Sequence, residues 1–451
     1  MAHTEVFILN YNGAHFLEEC LASLSAVELG GHTMHVSVVD NCSADNSADI
    51  VGKFDRASFI KLDKNYGFSK GNNLGVWKRL ETLAQQGKWA DFVCFLNNDT
   101  HVESTWLTAA LERFASDPQI GLVGSKANFY DRFIEVNFEC APIFRPRDSG
   151  SRDSRDLGVF VRPPKTTHNI QLNPKRSKWV DAYPTDPCGG RWLKPEGRIL
   201  IAVQDHNKAT NLDLVFENRN PTAASTSLTL SIAGQDHTLL IPNGETREFS
   251  AVIPRSQAEL FIQNAGSFVT NDWEGGDEGT FTRDRDSFEQ PREVAAICGV
   301  SMFMRTELFQ RLKGFDEAFF AYFEDTDLSL RARLAGYTCW YEPRSRLHHV
   351  HCGSGGEFSP YFNFNVTHSH LLFTGRWMGG RSFLKKLTQI CRWGWIELKA
   401  FESDVNLETK PNLRTLVRML KHPLRLPSRR LFHLCHRHRI GTLKKEELRA
   451  Q

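Results

Sequence analysis

The chain has 451 residues, 41% hydrophobic and 24% charged, enough for two to four domains with buried cores; its ten cysteines form no C-x-x-C pair, so buried free thiols in a reducing cytoplasm are expected rather than a disulfide scaffold. No apolar stretch approaches the roughly 18 residues that cross a bilayer, and the start MAHTEVFILNYNG lacks the basic opening and cleavage site of a signal peptide, so neither a spanning nor a conventionally secreted chain is expected. The net charge of +2 hides a division: residues 376–451 hold 18 Lys+Arg against 6 Asp+Glu and the rest hold 37 against 47, and a basic tail on an acidic body suggests an anionic partner.

In chain order, the first 130 residues alternate short apolar runs with helical stretches: EVFILNY, Phe16–Leu24, HVSVVDN, Ala48–Phe54, FIKLDKN, Gly71–Gln86, DFVCFLNND, Trp106–Phe114 and IGLVGSK. Strands alternating with helices predict an α/β unit around a mostly parallel sheet. Such sheets bind ligands at the carboxyl ends of their strands, and polar residues follow the apolar runs there: Asn10-Tyr11-Asn12, Asp40-Asn41 and Asn97-Asn98-Asp99. Asp40 is placed to accept hydrogen bonds from a base or ribose, although helix capping would also explain an acid there. The segment Asn65 to Gly75, with Gly67, Lys70, Gly71, Asn72 and Asn73, joins glycines that permit close approach to amides suited to sugar hydroxyls or phosphate. Asp99, a carboxylate after an apolar strand, suits Mg²⁺ or Mn²⁺ bridging two phosphates.

Arg145 to Lys178 is rich in Arg, Asp, Ser and Pro and reads as a loop or partly ordered linker. The pattern then changes to GRILIAV, LDLVFEN, TSLTLSIA, HTLLIPNG, TREFSAVIP and ELFIQNA, in which Leu228, Leu230 and Ile232 alternate, as do Phe249, Ala251 and Ile253; this predicts an inserted antiparallel β-sandwich. EVAAICGVSMFMR and a helix starting near Glu324 return to α/β character. The tail carries Leu384, Leu387, Cys391, Trp395 and Leu398 at helical spacing among Lys385, Lys386, Arg392 and Lys399, and a second run of Leu413, Leu416, Val417 and Leu420. These stripes either pack on the body or lay basic faces on an anionic membrane.

The stretches Val6–Gly13, Val38–Asp45, Asn65–Gly75, Leu96–Thr100 and above all CGVSMFMRTELFQRLKGFDEAFFAYFEDTDLSLRARLAGY resemble the family 2 glycosyltransferases, inverting enzymes of GT-A fold, and their rhamnosyltransferase-like branch. With FIQNAGSF and GGDEGTF the resemblance covers about residues 4–140 and 261–356. It implies a nucleotide-sugar-binding half over 1–145 and an acceptor and catalytic half over 264–375, but does not extend to the sandwich or the tail; the residue patterns place a linker over 146–196, the inserted sandwich over 197–263 and a basic amphipathic helical tail over 376–451.

Residue by residue, the resemblance implies donor contacts from Asn10, Asn12, Asp40, Asn41, Asn65, Gly67, Lys70, Gly71, Asn72, Asn97 and Asn98, with Asp40 on the base. Asn97-x-Asp99 stands where many relatives have D-x-D, leaving Asp99 as the main carboxylate on the cation. His351 of HVHCGSGG matches the histidine that completes the metal site, with His348 and His349 beside it. Glu324-Asp325 matches the family's E-D pair: Asp325 is the expected base and Glu324, with Cys298 and Gly299, is expected on the acceptor. The implied donor is deoxythymidine diphosphate-rhamnose, with uridine diphosphate sugars as competitors, and the implied acceptor is a glycan or lipid-linked glycan. A non-catalytic nucleotide-sugar-binding or glycan-binding protein would not need Asp99, Glu324, Asp325 and His351 together. No nucleic-acid partner is expected, homo-oligomerisation is left open, and the expected location is the cytoplasm, with peripheral attachment to the inner face of the membrane through the tail.

Overall fold

The computed structural model describes residues 1–151, 153, 155–162, 177–183, 190–203, 210–270, 275–285, 288–351, 359–377, 380–400, 412, 414 and 415. It divides into two compact units: Met1–Tyr130, Gln263–Thr280 and Asp286–Gln451 form the first, Asp131–Ile262 and Phe281–Arg285 the second.

The first unit opens with β1 (His3–Asn10), α1 (Ala14–Ser25), β2 (Thr33–Asp40), α2 (Ser47–Val51), β3 (Ala57–Lys61), α3 (Gly67–Gln85), β4 (Phe92–Leu96), β5 (Thr100–Val102), α4 (Trp106–Ser116) and β6 (Ile120–Phe129). β4, β1, β2 and β3 are parallel neighbours in that order. The chain runs from β1 outward to β3 and then back to β4 on the other side of β1. The strand order therefore reverses beside β1, and a crevice opens at the carboxyl ends of β1 and β4. Val6, Phe7 and Ile8 are fully buried, as a strand covered on both faces requires. α3 lies close over this sheet because two of its positions lack side chains: a Cβ on Gly71 would stand 2.7 Å from Leu9 Cδ1, and one on Gly75 2.3 Å from Val39 Cγ2.

The second unit contains β7 (Arg132–Ala141), β8 (Phe160–Arg162), β9 (Arg191–Trp192), β10 (Glu196–Val203), β11 (Thr210–Glu217), β12 (Ser225–Ile232), β13 (Gln235–Pro242) and β14 (Thr246–Ile253). Two antiparallel four-stranded sheets result, ordered β10-β7-β12-β13 and β14-β11-β8-β9. Their inner faces share one core that includes Val136, Phe138, Ile199, Ile201, Leu214, Leu228, Leu230 and Phe249. The unit begins well before residue 197, because β7 supplies an inner strand of one sheet and the short β8 and β9 extend the other. ELFIQNA is not a sandwich strand: it contains β15 (Phe261–Asn264), which pairs with β18 (Thr282–Arg283).

Back in the first unit, β16 (Ser267–Val269) pairs with β17 (Gly275–Asp277). β19 (Arg292–Glu293), β20 (Ser301–Arg305), α5 (Thr306–Arg311), α6 (Glu324–Leu334) and β21 (Thr338–His349) follow. β20 inserts antiparallel between β4 and β6, and β21 runs parallel to β6 and antiparallel to β5 and β19. The expected α/β architecture, a largely parallel mixed sheet with an antiparallel insertion, is present.

α7 (Pro360–Trp377) and α8 (Gly380–Ala400) close the described structure. α8 divides the single apolar stripe expected on the tail into two faces. Ile390 and Gly394 are buried and Leu387 half-buried on one, whereas Leu384 (58% exposed), Cys391 and Trp395 (60% exposed) lie on another, beside exposed Lys385 and Arg392. Positions three, four and seven apart share a face only when they stay in phase, and Leu387 is three residues from Leu384 in the direction that rotates it inward. Leu398 and Lys399 side chains, and the run Leu413, Leu416, Val417 and Leu420, lie outside the described residues. Among the described residues the cysteines are free thiols, yet Cys42 and Cys391 are exposed, not buried. No described helix is long and apolar enough to cross a membrane.

Candidate active site

Three strand ends meet at the crevice beside β1. Asn10 and Asp40 are register partners at the ends of β1 and β2. The Asn10 amide donates to Ser47 Oγ (2.8 Å) and Asp40 Oδ1 (3.3 Å), while its Oδ1 accepts from Asn98 Nδ2 (2.8 Å), tying the end of β1 to the turn after β4. Asp40 Oδ2 accepts the Ser43 N–H, and Asn12, in left-handed backbone, accepts the Ala44 N–H. Asp40, Asn41, Asn98 and Asp99 are all buried, so the polar cluster is a cross-braced floor rather than a row of exposed tips.

The next segment is spent largely on the fold itself. Asn41 Nδ2 donates to Asn65 Oδ1 and Gly67 O, and Asn41 Oδ1 accepts the Tyr66 N–H. The Asn72 amide donates to Phe68 O, and Asn73 makes two hydrogen bonds to the Phe315 backbone. Gly71 faces Leu9, and Lys70 forms a half-exposed ion pair with Glu317. The amides of Asn72 and Asn73 thus serve packing, although a row of ligand-facing amides was expected.

The imidazole against Asp99 is that of His349, the last residue of β21, with Nε2 3.0 Å from Asp99 Oδ1. His351 stands one step further, its ring 6.0 Å from that of His349 and edge-on to Phe129. His349 Nδ1 meets Gln263 Oε1 at 2.7 Å, and its Nε2 also meets Asn97 Nδ2 at 3.3 Å. With Nδ1–H donating to the Gln263 carbonyl, Nε2 turns a lone pair toward a carboxylate, an arrangement that calls for a proton or a cation between them. An oxygen and an imidazole nitrogen so placed fit a divalent ion whose other ligands are phosphate and water. Among the described residues no three His, Cys, Asp or Glu side chains converge to hold an ion by themselves.

Across the same unit, α6 starts at Glu324 after two consecutive left-handed residues, Tyr322 (φ 69°) and Phe323 (φ 66°). Such backbone costs on the order of 1–3 kcal/mol per residue and persists only where packing enforces it. The Tyr322 ring meets Phe362, and Phe323 stacks on His370 of α7. The turn aims Asp325 at the segment before β20: its Oδ2 accepts the Gly299 N–H at 2.7 Å and its Oδ1 the Thr326 N–H at 2.6 Å. Ser329 Oγ, accepting the Ile297 N–H, fixes the same segment one turn on. Burial raises Asp325 above the ordinary aspartate range despite those hydrogen bonds. Glu324 is pushed well above its usual range by burial and then by Asp325, and among the described residues no donor reaches its Oε2. Cys298 is likewise driven far up by burial and then by Asp277, Asp325 and Glu324, which places all four in one neighbourhood.

Gln263 and Asp277 are the site residues that no motif pointed to, while His349, one of the three neighbouring histidines, stands against Asp99 where His351 was expected. FIQNAGSF and GGDEGTF were legible as family segments, but nothing in either assigns a partner. The open groove of about 700 Å³ lined by Asn12, His15, Glu18 and Asp45 contains neither Asp99 nor Asp325.

The family model described as Glycosyl transferase family 2 matches residues 5–170, and the one described as Glycosyl transferase family group 2 matches residues 256–434. Rhamnosyltransferase WbbL of Escherichia coli (strain K12) is 36% identical over 101 residues, 22% of this chain and 36% of that protein, so the chain spans about a third of that curated relative. Among solved structures, GalNAc-T7 with UDP, GalNAc and Mn²⁺ is similar at 12% identity and TM-score 0.43, covering 95% of this chain and 59% of that one. Mannosyltransferase PcManGT from Pyrobaculum calidifontis, in complex with GDP-Man and Mn²⁺, is similar at 12% identity and TM-score 0.37, covering 93% and 76%. Likenesses this distant add nothing to what the sequence models establish.

Proposed function

Because the chain belongs to the family 2 glycosyltransferases, we propose that it transfers a sugar, with inversion, from a nucleoside diphosphate sugar to a hydroxyl of a glycan or lipid-linked glycan in cell-surface polysaccharide synthesis. The observation that carries the reading is Asp325: a carboxylate raised by burial, oriented by the Gly299 N–H and set at the start of α6. In this reaction the acceptor hydroxyl gives its proton to Asp325 as its oxygen bonds to the anomeric carbon, and the bond from that carbon to the diphosphate oxygen breaks on the opposite side. Glu324, Cys298 and Gly299 line the acceptor side. Asn10, Asn12, Asp40, Asn41, Asn97 and Asn98 frame the donor side, with Asn65, Gly67, Lys70, Gly71 and Asn72 behind them.

Asp99 and His349, with His351 next to them, would hold a divalent cation, which would supply charge neutralisation for the leaving diphosphate. The 36% identical stretch shared with a rhamnosyltransferase supports deoxythymidine diphosphate-rhamnose as donor, ahead of uridine diphosphate sugars. A donor panel read by nucleoside diphosphate release, with and without Mg²⁺ or Mn²⁺, tests the reading; no release from any donor in the presence of acceptor would overturn it.

The exposed Leu384, Cys391 and Trp395 of α8, flanked by Lys385 and Arg392, support peripheral attachment to an anionic leaflet where a lipid-linked acceptor would lie. Each basic residue near such a surface contributes about 1 kcal/mol. Flotation with anionic and neutral vesicles at low salt checks this, and equal binding to both would refute it.

A further inference from the structure

Asp277 is tied to the transfer site by three successive contacts. It pairs with Ser267 across β16 and β17. Ser267 exchanges both backbone hydrogen bonds with Ala296, at 3.1 and 3.0 Å. The chain from Ala296 runs through Cys298 to Gly299, whose N–H is held by Asp325. At the other end of the strand, a Cβ on Gly275 would stand 3.7 Å from the ring of Phe323, the residue just before α6. β17 therefore lies against the elements that aim Asp325.

The two oxygens of Asp277 are used differently. Oδ1 accepts from Asn264 Nδ2 (2.7 Å) and Ser267 Oγ (2.9 Å), and Asn264 is itself fixed by accepting the Gly266 N–H. Among the described residues no donor reaches Oδ2, and no Lys, Arg or His forms an ion pair with this carboxylate. The residue is exposed, yet protein atoms crowd its carboxylate. That crowding, with Asp325 adding to it, brings the group up to about 6 against the hydrogen bonds from Ser267 and Asn264 and the nearby His349.

A structural role does not account for the charge. Holding the β16 and β17 pair needs one accepting oxygen, which an asparagine would supply without placing a second anion near Asp325. Among the described residues Asp277 also joins no group of His, Cys, Asp or Glu side chains able to hold a cation. A carboxylate repels a diphosphate, whereas the neutral hydroxyls of an acceptor sugar are donors that suit an open carboxylate oxygen.

We propose that Asp277 is a second substrate-binding carboxylate of the transfer site, its Oδ2 accepting a hydrogen bond from one hydroxyl of the acceptor sugar while another hydroxyl of the same sugar lies on Asp325. This rests on the glycosyltransferase reading above. The two oxygens divide the work: Oδ1 anchors the group and Oδ2 selects the acceptor.

The test uses the full chain, the donor that the panel identifies, and an acceptor together with its series of single-deoxy analogues. Asp277→Asn, which keeps the anchoring oxygen, should lower kcat/KM for the acceptor about 10- to 100-fold, the worth of a hydrogen bond to a charged group, mainly through KM. One deoxy analogue should cost the wild type a similar factor and cost Asp277→Asn nothing further, a non-additivity that a folding defect does not produce. Ser267→Ala, which keeps the carboxylate, should retain the wild-type pattern across the series.

If no single hydroxyl deletion costs the wild type tenfold, the inference is overturned without any variant. Additive losses overturn it as well, as does a collapse of kcat at unchanged acceptor KM, which would make Asp277 the proton acceptor. A wild type that transfers from no donor removes the functional reading and this inference together, whereas a transferring wild type with an indifferent Asp277→Asn removes this inference alone.

Discussion

Glu5 and Glu324 are both buried in the first unit, with opposite results. Glu5 sits within β1 and receives His3 Nε2 (3.0 Å), His35 Nδ1 (3.0 Å) and Arg79 Nη2 (2.8 Å). Burial alone would raise its pKa, but these three donors bring it down to about 2. Glu324 meets the same burial among acids, and its pKa goes well above 4.5. Burial pushes both carboxyls the same way, and the neighbours decide the outcome. A carboxylate ringed by cations braces the sheet, whereas acids gathered without cations mark a place where stability has been given up for chemistry.

The contrast predicts the largest effect at Asp325. Asp325→Asn should keep donor affinity while transfer falls about 10³-fold, since the amide keeps the shape but cannot take a proton. Nucleoside diphosphate release at saturating acceptor measures this, and substantial residual turnover would remove Asp325 from the role of base. In the wild type the rate should fail on acidification at a pH above the 3.8 of an ordinary aspartate, because burial raises the group.

Glu5→Gln should leave transfer intact at moderate temperature and cost about 3 kcal/mol of stability, the usual scale for breaking a buried ion pair from one side. The folded-state pKa of Glu5, about 2, lies below the ordinary 4.5, so its stabilisation is complete above that value and fades as pH falls toward 2. Unfolding curves of wild type and variant should converge over that window. A gap that stays constant with pH would mean that the charge of Glu5 does not matter.

At the cation site, Asp99→Ala should weaken donor binding and metal activation strongly, and Gln263→Ala about tenfold, because the Gln263 carbonyl sets which nitrogen of His349 faces Asp99. Titration calorimetry with donor and Mn²⁺ distinguishes them, and full activity of chelated wild type would refute both. The smallest effect belongs to Glu324→Gln, which removes a costly buried acid and should change stability by less than about 1 kcal/mol in either direction. If it destabilises the protein as much as Glu5→Gln, the comparison between the two glutamates is wrong.

Much of the first unit was legible because runs such as EVFILNY and DFVCFLNND announce covered parallel strands and the helices between them keep helical period. β7 was harder, although Phe138 and Cys140 alternate with exposed neighbours, because nothing local says that RFIEVNFECA pairs with β10 and β12 instead of continuing the first sheet. β8 and β9, at three and two residues, are too short to carry a period. Within the site, Asp99 and Asp325 stand in segments whose neighbours identify them. The choice among three nearby histidines depends on where β21 ends, which no motif states. Gln263 and Asp277 reach the site only after the chain has traversed the second unit, so their partners are a matter of tertiary structure alone.

The position of β20 sets a timetable for the growing chain. It fills the gap between β4 and β6, yet it is made only after every strand of the sandwich. During synthesis, β4 and β6 must therefore wait with facing edges unpaired while the sandwich emerges and can fold from its own residues. Unpaired edges invite pairing with other chains. For a cell making this protein, the hazardous interval is the passage of the ribosome from the end of β6 to the end of β20, and holding factors or slow codons matter most there.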